Sequence, residues 1–187
     1  MDADQERDAV ARATAGDGNA FRALVEAHEG RVQACARYLL GDPREAEDIA
    51  QEVFLRAHRA LGRFDGRSRF GTWIHRIAVN ACLQQLRGRK ARRPLPAVAG
   101  VDPGRADGVE LRRRLLAALE SLTPSLRVAV VLVLVEGFTH AEAAEVLGCA
   151  EGTVSWRVHE ARRRLQTLLG GEPRPGAARA ATDGGLR

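Results

Sequence analysis

The stretch Phe138-Thr-His-Ala-Glu-Ala-Ala-Glu-Val-Leu-Gly148-Cys-Ala-Glu-Gly-Thr-Val-Ser-Trp-Arg-Val-His-Glu-Ala-Arg-Arg-Arg-Leu165 has the layout of a helix-turn-helix. A short first helix turns Ala143, Ala144 and Leu147 inward, Gly148 supplies the turn, and a longer second helix follows. In that second helix Val154, Val158, Ala161 and Leu165 recur at three- and four-residue steps and pack inward. Thr153, Ser155, Trp156, His159, Glu160 and Arg163 are then left to face a groove, with Arg157, Arg162 and Arg164 placed for phosphates. An outward Trp156 is costly unless a partner covers it. An ionised Glu160 only accepts hydrogen bonds, so its expected role against duplex DNA is to meet a cytosine amino group.

Upstream, Leu111, Leu115, Ala118, Leu119 and Leu122 have helical spacing, and Thr123-Pro124 is a cap-plus-first-turn signal for the next element. The β-branched run at 128–135 fits a buried strand or a helix by period alone; the preceding cap and the flanking helices favour helix. Prolines and glycines without amphipathic period at 94–108 mark a flexible linker, and the Gly, Ala and Pro-rich residues 170–187 have too little apolar content to fold. The expectation is an all-α protein of two small helical domains joined by that linker, the second a helix-turn-helix. Its parts are an N-terminal extension 1–18, either a short helix or a frayed end, a first domain 19–93, the linker, a second domain 109–169 and the disordered tail.

In the first domain Phe21, Leu24, Val25, His28, Val32, Cys35 and Leu39 form one apolar face, with a possible break at Gly30. Asp42, Pro43 and Glu45 announce the next helix as N-cap, first-turn proline and an acidic capping-box partner. Its buried stripe is Ala46, Ile49, Val53, Phe54, Ala57 and Leu61, which turns Glu45, Glu47, Asp48 and Glu52 outward. Acidic residues near a helix start favour the macrodipole, which accounts for Glu45. Asp48 and Glu52 lie beyond the first turn and suit a basic protein partner.

A third helix starts after Ser68 with Phe70, Ile74, Ile77 and Ala81 inward. On its other face Trp73, Arg76, Asn80, Gln84 and Arg87 follow one another at helical steps and run into Arg89, Lys90, Arg92 and Arg93. Aromatic rings stack on bases, arginines neutralise phosphates and amides bond base edges, so this face suits unpaired nucleic acid. The preceding loop, with Phe64, Arg67, Ser68 and Arg69, suits a base turned out of its stack. Phe70 and Trp73 have a competing reading as core residues.

The chain has 187 residues with 45% hydrophobic composition, a formal charge of +5 and a pI near 10.0, enough for one ordinary core or two small ones and consistent with a polyanionic partner. Cys35, Cys82 and Cys149 lie far apart in apolar surroundings and are expected to be buried reduced thiols. No His/Cys cluster has metal-ligand spacing and no Gly-rich loop joins a strand to a helix, so neither cofactor nor catalytic activity is expected. The polar, acidic start is no signal peptide and the longest apolar run is far short of the ~20 residues that span a bilayer, which points to the cytoplasm.

With these residues in view the chain resembles the extracytoplasmic-function (ECF, group IV) sigma factors of the sigma-70 family. Three motifs carry the likeness: Ala46-Glu-Asp-Ile-Ala-Gln-Glu-Val-Phe-Leu-Arg-Ala57, Phe70-Gly-Thr-Trp-Ile-His-Arg-Ile-Ala-Val-Asn80 and Gly152-Thr-Val-Ser-Trp-Arg-Val-His-Glu-Ala-Arg162. The resemblance implies an alternative sigma factor that binds core RNA polymerase and directs promoter recognition, melting and transcription initiation. The largest-subunit clamp helices would receive Glu45, Asp48, Gln51, Glu52 and Phe54, with the flap as a further contact. The melted minus-ten element would meet Phe64, Arg67, Ser68, Arg69, Trp73, Arg76, Asn80, Gln84 and Arg87. The duplex minus-thirty-five element would meet Thr153, Ser155, Trp156, Arg157, His159, Glu160, Arg162 and Arg163, and an anti-sigma factor would hold the protein inactive. Two departures from the family's pattern are Ala150 where a capping residue often stands and Ser155 with Glu160 on the recognition helix. The alternative is a stand-alone helix-turn-helix repressor or activator of duplex DNA, which leaves Asp48, Glu52 and the aromatic loop without a role; a recombinase-like enzyme would lack a nucleophile.

Overall fold

The computed structural model describes residues 1–90 and 108–169, all of whose regular elements are helical. They are α1 (Ala3–Thr14), α2 (Gly18–Leu40), α3 (Pro43–Ala60) with a 3-10 turn (Leu61–Arg63), α4 (Phe70–Lys90), α5 (Gly108–Ser121), α6 (Pro124–Val130) continuing as a π-helical turn (Val131–Val135), α7 (His140–Leu147) and α8 (Glu151–Leu168). The expected linker lies almost wholly outside the described residues, as do Arg92, Arg93 and the tail. The N-terminal extension is a packed helix: Asp2 and Gln5 close a capping box, and Ala9 is buried against the first lobe. Gly30 does not break α2, which runs through it.

Asp42 caps α3 by accepting from the Arg44 and Glu45 amides. Glu45 does not complete the expected box; its Oε2 accepts instead from Gln85 Nε2 of α4 at 3.1 Å. Thr123 stands at the N-cap of α6 but makes no side-chain cap bond. The 128–135 run is helical, and its last turn widens to the π form before Gly137 reverses the chain at φ 74°. Leu111 is 58% exposed, outside the buried stripe expected for α5. In α7 the deeply buried residues are Ala143, Ala144 and Val146, with Leu147 only half-buried, because the short helix presents a slightly rotated face.

Buried apolar residues of both lobes form one continuous cluster, from Leu24, Val32 and Ile74 to Leu132, Ala143 and Val154. Two polar ties accompany it. Arg127 of α6, 5% exposed, donates from Nη1 to the Leu39 carbonyl at the end of α2 at 2.6 Å and from Nη2 to the Glu120 carbonyl at 2.5 Å. Glu136 accepts at its backbone carbonyl from Arg31 Nη2 at 2.6 Å, and its carboxylate lies 3.4 Å from both Arg31 Nε and His75 Nε2. His75 Nδ1 faces the Gly71 carbonyl at 2.8 Å, and since a carbonyl only accepts, Nδ1 carries a proton. Phe138 closes the junction, edge-on to His75 with centroids 5.0 Å apart and beneath the Arg31 guanidinium.

Candidate nucleic-acid and docking interface

Three surfaces emerge from this packing. The first is the outer side of α3. Asp48, Gln51 and Glu52 are exposed, Glu45 and Phe54 are half-buried, and Glu52 holds Arg56 at 2.6 Å. Leu55, three residues beyond Glu52 on the same face, is 60% exposed. Sequence reasoning missed it, although its spacing from Asp48 and Glu52 places it on the same helix face.

The second surface is built on α4 and the loop before it. Phe70 is buried at 2% exposure; Phe64 and Trp73 are half-buried and lean on it, with centroid separations of 6.0 Å for Phe64–Phe70, 5.5 Å for Phe70–Trp73 and 5.1 Å for Phe64–Trp73. The rings therefore serve both readings at once: Phe70 is core, while Phe64 and Trp73 keep part of their surface outside. From this base Arg76, Asn80, Gln84 and Arg87 project as exposed residues one helical step apart. Arg67 and Arg69 are exposed, Ser68 half-buried, and Asp65 turns the loop by accepting from the Arg67 amide.

The third surface is the second helix of the helix-turn-helix. Thr139 and Glu142 form a capping box at α7, and Gly148 ends it in the left-handed region at φ 61°, where a Cβ would be strained. Val154, Val158 and Ala161 of α8 are buried, as the spacing required, while Leu165, expected with them, is half-buried. Ser155, Trp156, His159, Arg162 and Arg163 are exposed, Trp156 at 63%; Thr153 and Arg157 are half-buried, with Arg157 Nη1 3.8 Å from Cys149 Sγ. Cys149 is accordingly only half-buried, whereas burial raises the thiols of Cys35 and Cys82, the latter to about 12. Glu160, half-buried, has partners on its own helix. Its carboxylate accepts from Arg163 Nε and Nη2, both at 2.9 Å, and from Arg164 Nε at 2.7 Å. These bonds, Arg163 first, hold the carboxyl down to about 2.

The second surface faces the first helix and the turn of the helix-turn-helix. Arg67, Trp73 and Arg76 line one wall of an open cleft whose other wall is α7 and the start of α8, including Glu145, Cys149 and Glu151. Among the described residues no group of His, Cys, Asp or Glu could hold a metal, and no helix is long and apolar enough to cross a membrane.

This architecture joins an acidic-faced helix, an aromatic-rooted basic helix and a helix-turn-helix, and comparison with known proteins identifies its class. Residues 24–92 match the Sigma-70 region 2 family and residues 112–165 match Sigma-70 region 4. The ECF RNA polymerase sigma factor SigM of Mycobacterium tuberculosis is 39% identical over 163 residues, covering 86% of this chain and 83% of that protein. Among solved structures, CnrH in complex with the cytosolic domain of CnrY is 30% identical with a TM-score of 0.72, covering 88% of this chain and 97% of that one. The sigma factor RpoE of Bartonella quintana, in complex with the anti-sigma factor NepR, is 29% identical with a TM-score of 0.67, covering 80% of this chain and 96% of that one. The chain belongs to the ECF group of sigma-70 family RNA polymerase sigma factors.

Proposed function

We propose that the three surfaces divide the work of this sigma factor as follows. The outer face of α3, Glu45, Asp48, Gln51, Glu52 and Phe54 with Leu55, docks on the clamp helices of core RNA polymerase. Phe64, Arg67, Ser68, Arg69, Trp73, Arg76, Asn80, Gln84 and Arg87 take the opened minus-ten element. Thr153, Ser155, Trp156, Arg157, His159, Arg162 and Arg163 read the duplex minus-thirty-five element, and Glu160 orients Arg163 and Arg164 rather than touching a base. Residues 19–93 and 109–169 act as separate domains, and the protein works in the cytoplasm without catalytic activity of its own.

The observation that carries this reading is the exposed Arg76, Asn80, Gln84 and Arg87 ridge rooted on a half-open aromatic cluster. Duplex DNA needs no stacking platform, whereas unpaired bases do. Elements some 25 base pairs apart lie about 85 Å apart along straight duplex at ~3.4 Å per base pair. Lobes packed on one another therefore represent the unengaged protein, and parting them lets each reach its element. CnrH and RpoE were solved bound to CnrY and to NepR, which supports an anti-sigma partner that stabilises the unengaged form here.

Asn80→Ala is expected to weaken binding of the holoenzyme to a single-stranded non-template minus-ten oligonucleotide, selected from a random pool, by about tenfold. Binding of duplex minus-thirty-five DNA stays unchanged. If only duplex binding suffers, the assignment of α4 is wrong. Charge reversal at Asp48 and Glu52 tests docking in the same way, since affinity for core polymerase then falls while helicity holds.

A further inference from the structure

The N-terminus of α4 lacks a cap of its own. Trp73 N–H donates to the Arg69 carbonyl at 3.1 Å, which places Arg69 at the N-cap position, and an arginine side chain has donors only. By contrast α1, α2, α3 and α7 begin on Asp2, Asp17, Asp42 and Thr139, each accepting from first-turn amides. The missing acceptor arrives from another helix: Glu6 Oε1 of α1 accepts from the Gly71 amide at 3.3 Å. The other oxygen, Oε2, lies 3.5 Å from His28 Nε2, and the Glu6 side chain is only 18% exposed. His28 in turn leans on Phe70 with ring centroids 5.3 Å apart. A Cβ added at Gly71 would sit 3.3 Å from His28 Cε1, so this approach leaves little room for a larger residue. One carboxylate thus bridges α1, α2 and the first turn of α4, the turn that carries Phe70 and Trp73.

We infer that Glu6 is a positioning residue for minus-ten recognition: it supplies in trans the cap that Arg69 cannot, and so holds the first turn of α4 and its aromatic cluster in the geometry that unpaired bases meet. This rests on the assignment of α4 proposed above. A carboxylate is well suited to the place, because it satisfies an orphan amide and carries negative charge at the positive end of the helix.

The test uses the full chain assembled with core polymerase. Glu6→Ala is expected to lower affinity for the selected single-stranded minus-ten oligonucleotide by about fivefold, the factor that losing one capping bond is worth. Glu6→Gln keeps an acceptor for the Gly71 amide and should restore most of that loss. Core affinity and binding to duplex minus-thirty-five DNA stay unchanged in both variants, and hydrogen exchange at 70–73 in the free chain quickens for Glu6→Ala alone. Equal loss in all three binding assays would mean a general folding role and would overturn the inference, as would wild-type behaviour of Glu6→Ala or a failure of Glu6→Gln to restore. Asn80→Ala runs alongside as the control. If it weakens oligonucleotide binding while Glu6→Ala does not, the positioning role alone is refuted; if Asn80→Ala has no effect, the assignment of α4 falls and this inference with it.

Discussion

The helices α4 and α8 carry the two surfaces proposed to meet DNA, and both start without a capping side chain of their own, yet the structure treats them differently. At α4 the gap is closed by Glu6, and Phe70 anchors the first turn in the core. At α8 the N-cap is Ala150, no side chain accepts from the first turn, and Trp156 stands 63% exposed. The α4 surface is organised before any ligand arrives; the α8 surface leaves orphan amides and a bare indole whose cost falls when a partner covers them. The contrast suits the chemistry, because unpaired bases bring no rigid template of their own, whereas a duplex groove supplies shape and phosphates to complete what the protein leaves open.

The largest expected effect separates the two aromatics. Phe70→Ala removes a fully buried ring from the junction of α1, α2 and α4 and should cost about 3–5 kcal/mol in urea unfolding. Trp156→Ala should stay within about 0.5 kcal/mol, as exposed substitutions do, while weakening binding to minus-thirty-five DNA. Similar unfolding costs for the two would break the comparison.

A smaller difference concerns the caps. Ala150→Ser offers α8 the acceptor it lacks and should stabilise the chain by about 1 kcal/mol. Arg69→Ser makes the same offer to α4, where Glu6 already accepts from the Gly71 amide, so its gain should be no more than a few tenths of a kcal/mol. Equal gains in thermal unfolding would mean that Glu6 does not cap α4.

The smallest effect is on pH. Burial holds His28 below the ordinary histidine range, opposed by the charge of Glu6 and assisted by His75 and Arg31. The unfolded chain then binds the proton more readily than the folded one. The contribution is fully present above the usual histidine value of about 6.5 and is lost as pH falls through it toward the lower folded value. Melting temperature should therefore drop between neutral and mildly acidic pH, and His28→Gln should flatten that slope. A slope unchanged by the substitution would assign it to other groups.

Most of the architecture was legible because helix starts and buried stripes are local. Asp42-Pro43 and the Gly148 turn state their conformations through short-range sterics and hydrogen bonds, and the α3 and α8 stripes follow from the helical period. Reasoning from the residues erred where a side chain chose between a local and a distant partner. Glu45 left its expected box for Gln85 of α4. Leu111 and Leu147 followed the period yet lay at the edge of the packed face, which periodicity alone does not reveal.

By itself the sequence determined most of the helices and of their inward faces, the helix-turn-helix and the family, since each depends on residues within a few positions of one another. Only the tertiary structure decided how α1 is used, which lobe contacts tie Arg127 to Leu39 and His75 to Glu136, and that Glu6 completes a helix beginning sixty-four residues later. Those pairings join positions far apart in the chain. Nothing in a local pattern specifies them, because they follow from which surfaces the buried stripes bring together.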